Sequence, residues 1–232
     1  MRLVGFRPAL AITAAVLLTA GCAGRRPAVL WSPAPVTQTI EPNGFRVITM
    51  SFVSDTALHA AALQVSPPLR PYVTIDPSSP GSVEAGVARP VRLLIAMPVS
   101  ATPGRTVVGL VQLRAARRAL APAELELLVA ASTPEGTLQS LRAAIMARDA
   151  AAYARQFVPE RQAGAQAAFE QLADAALDRL AEALQSAERV FLSDDGVTAE
   201  YKMVVRLDPN RTETTIRLRR SGNDGIWRVV RF

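Results

Sequence analysis

One change of hydrophobic period, at Ser132-Thr133-Pro134, divides this chain of 232 residues into two parts that must fold differently. Ahead of it, short runs of aliphatic and β-branched residues are punctuated by Pro, Gly, Ser and Asp. Behind it, apolar residues recur three and four apart. Side chains alternate across a strand but return to one face of a helix every 3.6 residues or so (about 100° each), so no segment serves both patterns. The length suits two cores of about 100 residues each. An all-β unit followed by a unit that opens with helices is the organisation to expect.

In the first part, strands are predicted at Phe45 to Val53, Leu63 to Val65, Tyr72 to Ile75, Val91 to Met97, Val107 to Leu113 and Leu125 to Val129. Short strands with turn residues between them indicate an antiparallel β-sandwich over residues 36–131. Pro67, Pro68, Pro71, Pro77 and Pro80 cannot donate to a ladder, so they mark loops or edges. The stretch from Leu69 to Leu113 resembles the latter half of bacterial immunoglobulin-like modules. The shared grammar is a strand ending in Asp76-Pro77, a Val91-x-Leu93-x-Ile95 strand, a Pro-containing loop, Pro103-Gly104, and a Val107-x-Gly109-x-Val111-x-Leu113 strand. That resemblance implies a module that binds or spaces.

In the second part, Thr133 and Pro134 read as helix cap and first helical residue, with Leu138, Leu141, Ile145 and Met146 at helical spacing up to Arg148. Asp149 caps a second short helix containing Tyr153 and Phe157, and Pro159 ends it. A longer helix from about Arg161 to Arg189 then sets Phe169, Leu172, Ala176, Leu180 and Leu184 along one stripe. Three strands follow, Val197 to Leu207, Thr212 to Arg220 and Ile226 to Phe232, separated by the turn sequences Asp208-Pro209-Asn210-Arg211 and Gly222-Asn223-Asp224-Gly225. The opening from Leu141 to Phe157, the order of helices, and the meander ending in Asp224-Gly225-Ile226-Trp227 resemble the NTF2-like (SnoaL-like) domains over residues 132–232. The expected fold is an all-β immunoglobulin-like sandwich followed by an α+β cone of three helices plus a curved antiparallel sheet.

Enzymes of the NTF2-like superfamily place an Asp, His or Tyr inside that cone, where burial tunes it for proton transfer. The second part has no histidine. On its first strand Ala199, Tyr201, Met203, Val205 and Leu207 share one face, which leaves the pocket wall without a carboxylate. Tyr153 and Tyr201 are the candidate pocket hydroxyls, with core tyrosines as the alternative. On the opposite face, Lys202, Arg206, Arg217, Arg219 and Arg228 form a basic surface interleaved with Val204 and Val230. Guanidinium stems that cover aliphatic area suit an interface, either with a second copy or with the sandwich. A solvated face neutralised by Glu200 and Glu213 is the alternative. His59, Asp194-Asp195-Gly196 and the Arg114, Arg117, Arg118 loop carry no partner pattern for catalysis or calcium.

The chain begins with Arg2 and Arg7, then an uncharged run from Ala9 to Ala20, shorter than the roughly 20 residues a membrane span needs. Residues 1–21 read as a signal peptide. Leu18-Thr19-Ala20-Gly21-Cys22 resembles the lipobox of bacterial lipoproteins, which implies cleavage between Gly21 and Cys22 and acylation of that cysteine. Ala23 is not the Asp associated with inner-membrane retention, so the resemblance points to the periplasmic face of the outer membrane. Residues 22–35, rich in Pro and Ala, read as a tether.

The formal charge of +6 could suggest nucleic acid, but it is not concentrated. Residues 36–131 carry 8 Arg against 6 acids, and residues 132–232 carry 14 basic against 14 acidic side chains. Four cations lie at Arg2, Arg7, Arg25 and Arg26, in the leader and beside the lipid. One histidine and one cysteine imply no metal site and no cofactor. The predicted function is a non-catalytic binding or scaffold component of the cell envelope, with the membrane and an envelope protein or second copy as partners. Two alternatives use the cone. One is a SnoaL-like isomerase or hydrolase working through a tyrosine with Asp149 or Asp174, and the other is a carrier of a small ligand or lipid.

Overall fold

The computed structural model describes residues 27–116, 118–207 and 210–232. The leader with Gly21 and Cys22, Arg25, Arg26, Arg117 and Asp208 lie outside the described residues.

Ten strands occupy the first part: β1 (Val29–Ser32), β2 (Val36–Ile40), β3 (Phe45–Ser54), β4 (Leu58–Val65), β5 (Val73–Asp76), β6 (Gly81–Val83), β7 (Arg89–Ala96), β8 (Thr106–Ala115), β9 (Arg118–Ala119) and β10 (Ala123–Val129). They form two sheets, ordered β1-β3-β7-β5 and β2-β10-β8-β4-β6, with β9 paired to β8. All pairs are antiparallel except β2 with β10, which run parallel from Val36 opposite Leu125 to Ile40 opposite Val129. Alternate residues of the strands supply one shared core, including Met50, Phe52, Leu93, Ile95, Leu113, Leu125 and Leu127, all fully buried. Each such side chain contributes about 1.5–3 kcal/mol by leaving water. Residues 29–32, assigned to the tether by composition, instead form β1. Trp31 seals that edge by donating its indole N–H to the Ala121 carbonyl at 2.8 Å and stacking 5.3 Å from Phe52.

The second part departs from the three-helix cone. It holds four helices, α1 (Pro134–Ala147), α2 (Ala150–Ala154), α3 (Pro159–Glu170) and α4 (Asp174–Gln185), against an antiparallel sheet ordered β11 (Glu188–Leu192), β12 (Thr198–Leu207), β13 (Asn210–Arg220) and β14 (Trp227–Arg231). The predicted long helix from Arg161 to Arg189 is broken at residues 171–173, and Arg189 lies on a strand. A tertiary contact holds the break. Arg148, in left-handed conformation at the end of α1, donates to the Asp174 and Asp178 carboxylates at 3.0 and 2.7 Å, pinning the first turn of α4 beside α1. Negative charge at a helix start is favourable in itself. Pro159 opens α3 and does not merely close α2, because a first helical position needs no N–H. Of the expected stripe, Phe169 and Leu184 are buried, while Leu172 is exposed.

The described residues lack a clear cone of three helices with a curved sheet. Leu138, Leu141, Ile145, Phe169, Leu177, Leu184, Tyr201, Met203, Ile216, Leu218, Trp227 and Val229 pack between helices and sheet as one continuous cluster. The described residues are β-rich, three sheets with four helices, and the resemblance to an NTF2-like cone is corrected on that ground.

The two parts meet along a polar and apolar seam. Phe45 of β3 is buried in the helix–sheet cluster, and its N–H donates to Ser140 Oγ on α1 at 3.2 Å. Asn43 Nδ2 donates to the Arg155 carbonyl at 2.8 Å, and the buried Gln156 returns a bond to the Asn43 carbonyl at 3.1 Å. Glu41 accepts from the Thr133 N–H and hydroxyl at 2.9 and 2.6 Å, while Thr133 Oγ1 caps α1 by accepting the Gly136 N–H at 3.0 Å. Burial pushes the Glu41 carboxyl above its usual range, with the Thr133 bonds pulling the other way. A Cβ on Gly136 would overlap that carboxylate, so the absence of a side chain there is what lets Glu41 reach the helix start.

Candidate functional site

The candidate pocket hydroxyls sit inside packing. Tyr153 on α2 is walled by Phe157 and Phe169, with ring centroids 5.0 and 4.8 Å away. Burial alone pushes its phenol up to about 12. Tyr201 on β12 points to the start of α1, where its hydroxyl donates to Glu135 at 2.6 Å and Arg189 of β11 closes the group at 3.0 Å. Burial, then the Glu135 hydrogen bond, raise the Tyr201 phenol further still. Both shifts move the phenols away from the neutral range in which a general acid or base works best. Asp149 accepts the Ala152 N–H at 2.8 Å as cap of α2, and Asp174 lies in the exposed Arg148 cluster. Asp149 thus caps the same short helix that carries Tyr153, whereas Tyr201 and Asp174 lie apart from it on β12 and α4.

The outer face of β12, β13 and β14 carries the predicted cations, and neighbours answer four of them. Lys202 pairs with Glu213 at 2.8 Å, Arg206 with Glu182 at 3.9 Å, Arg217 with Glu200 through Nε at 2.6 Å, and Arg228 with Asp224 at 2.6 Å. Arg219 lies opposite Arg228 in the ladder and has no ion pair among the described residues. The sandwich does not pack on this face; it meets the helices instead. His59 is exposed on β4. Among the described residues no group of three or more His, Cys, Asp or Glu is placed to hold a metal, and no helix is long and apolar enough to cross a membrane.

Sequence reasoning did not find a cleft on the seam. Between β3 and β7 on one side and α1 on the other opens a space of about 640 Å³, lined by Arg46, Arg92 and Arg142 over Val47, Ala143 and Met146. Arg46 donates to Gln139 at 2.5 Å, and Arg142 donates to the Ala181 carbonyl at 3.1 Å and to Gln185 at 2.9 Å. Arg92 pairs with Asp76 at 3.0 Å. No carboxylate lines the cleft. The three arginines are 46 and 50 residues apart in the chain, so no local motif joins them.

No family model matches this sequence, and no curated protein matches it. Solved structures that match parts of this chain include a putative carbohydrate binding protein from Bacteroides ovatus, 9% identical, TM-score 0.35, covering 44% of this chain and 36% of that one. The secreted serine protease VesC from Vibrio cholerae is 11% identical, TM-score 0.34, over 52% of this chain and 26% of that one. The sialic acid binding region of a Streptococcus sanguinis adhesin is 11% identical, TM-score 0.36, over 86% of this chain and 48% of that one. This chain spans under half of the length of each of these three. At such scores these likenesses assign neither a family nor an activity.

Proposed function

We propose that this chain is a non-catalytic binding component of the bacterial cell envelope, held at a membrane through lipid on Cys22. One observation supports the binding half above all others: the helix–sheet interior is packed shut, and the tyrosines inside it meet aromatic rings or an acid already paired to Arg189. A site for chemistry needs room for a substrate beside a tuned acid or base. The lipid half rests on the run from Leu18 to Cys22. Each buried methylene contributes about 0.8 kcal/mol, so two or three chains anchor a protein durably. An envelope protein or second copy would meet the outer face of β12–β14 around Arg219.

The test is mass spectrometry of the mature N-terminal peptide together with membrane fractionation of Cys22→Ser. An acylated peptide starting at Cys22, and release of the variant from membranes, support the reading. A mature protein that starts elsewhere, or a variant that stays with the membrane, overturns the anchor. Charge reversal at Arg219 that leaves oligomeric state and bound partners unchanged removes the docking face.

A further inference from the structure

The geometry of the seam cleft points to a ligand. We propose that it binds an amphipathic organic anion, a phosphate or carboxylate head held by Arg46 and Arg142 with an apolar body over Val47, Ala143 and Met146. The inference depends on the cleft alone, so it stands or falls separately from the lipid on Cys22.

Two features support it. The first is a pair of guanidiniums with no bonded carboxylate. Three guanidiniums line the cleft, yet only Arg92 is paired with a carboxylate, while Arg46 and Arg142 bond to amide and backbone oxygens. Those neutral bonds fix the direction of each planar fork; Glu41 acts on Arg46 only through space, and no carboxylate is bonded to Arg46 or Arg142, which leaves donors oriented for an oxyanion. Arg46 is held in a half-buried site where the low dielectric strengthens its attraction for an incoming anion.

The second feature is the floor. Met146 is 56% exposed on the face of α1 that also carries the exposed Gln139, and it lines the cleft together with Ala143 and Val47. Methionine adapts to irregular apolar partners. A volume of about 640 Å³ falls within the range of small-molecule sites, which favour boundaries between packed units. An inorganic ion would use the arginines and leave this floor in water.

The experiment uses the full chain in phosphatidylcholine nanodiscs, titrated calorimetrically with hexyl phosphate, inorganic phosphate and hexyl glucoside, with empty discs subtracted. Saturable one-to-one binding of hexyl phosphate is expected, with both other probes weaker by at least about tenfold, the scale of one charge-assisted hydrogen bond or two buried methylenes. Arg142→Gln and Met146→Asp should each weaken hexyl phosphate by about tenfold or more. Met146 is exposed, so its variant tests the cleft without opening a core. Discs of equal parts phosphatidylcholine and phosphatidylglycerol separate the sources: competition there supports a bilayer headgroup, and its absence supports a free amphiphile. The proposal is overturned by no saturable binding, by equal binding of hexyl glucoside or inorganic phosphate, or by affinity that Arg142→Gln and Met146→Asp leave unmoved.

Discussion

The sandwich and the helix–sheet unit are not equally self-sufficient. Every side chain of the sandwich core comes from residues 29–129, closed between its own two sheets. The other core borrows: Phe45 is buried in it, and Val47, Leu94 and Ala96 pack against it from β3 and β7. A strand pair thus presents one face to its own core and the other to a neighbour's, as alternation of side chains allows. The consequence is a one-way dependence. Excised residues 132–232 should fail to fold, giving no cooperative urea transition, whereas residues 27–131 should unfold cooperatively on their own. Independent folding of the helix–sheet piece would break the comparison outright.

Phe45→Ala tests the same dependence inside the intact chain. Removing a buried phenylalanine costs about 3–5 kcal/mol through lost burial and the cavity left behind. The loss should fall mainly on the helix–sheet unit, although Phe45 belongs to a sandwich strand. The chain's two tryptophans report the two units separately, Trp31 beside Phe52 and Trp227 in the helix–sheet core. With Trp31→Phe as background, the Trp227 transition should move to lower urea by far more than Trp31 moves in the matching Trp227→Phe background. Equal shifts would mean one indivisible core.

The same contrast explains what could be read in advance. Val107 to Leu113 alternates cleanly and lies within β8, because both its faces are set by local pattern. β1 escaped notice because Trp31 and Leu30 sit among prolines, and β11 because Glu188 to Leu192 is exposed throughout and continues a helical-looking stretch. The break at residues 171–173 has no Gly or Pro to announce it; Arg148 makes it from the far end of α1. The basic face of β12–β14 was legible as a row of cations, since a strand's faces follow from period two. Which acids answer them was only partly so, because Glu182 and Asp224 come from other elements. The seam cleft was invisible, since Arg46, Arg92 and Arg142 become neighbours only when the borrowed face of β3 and β7 meets α1.

The cap on α1 sharpens the comparison at a single point, where Glu41 of the sandwich holds the first turn of the other unit. Gly136→Ala would drive a methyl into the Glu41 carboxylate, which must swing aside and give up its bonds to Thr133, at a cost of about 0.5–1.5 kcal/mol, the net scale of a hydrogen bond. In a Glu41→Ala background the same substitution should cost little, since the space is vacated and Ala is the better helix former. The double-mutant cycle on urea midpoints should therefore show strong coupling. Additive effects would mean that Glu41 does not reach the helix.

The smallest effect belongs to the turn before β14, where one ion pair is made entirely within five residues. Asp224 and Arg228 form two bonds at 3.1 and 2.6 Å, and these bonds hold the Asp224 carboxyl down to about 2. Taken at face value that displacement corresponds to about 2 kcal/mol. Water around a pair at the molecular surface reduces the benefit to about 1 kcal/mol or less. Because the folded group holds its proton less tightly than the unfolded one, the stabilisation is present above about pH 4 and lost as pH falls through about 2. Asp224→Asn should lower stability by that amount at pH 7, with the wild-type and variant curves converging near pH 2. The deficit should be the same in the Phe45→Ala chain, because the Asp224–Arg228 pair itself makes no bond to the sandwich. A deficit that changes with the seam would show the dependence reaching this pair through β14 and α1.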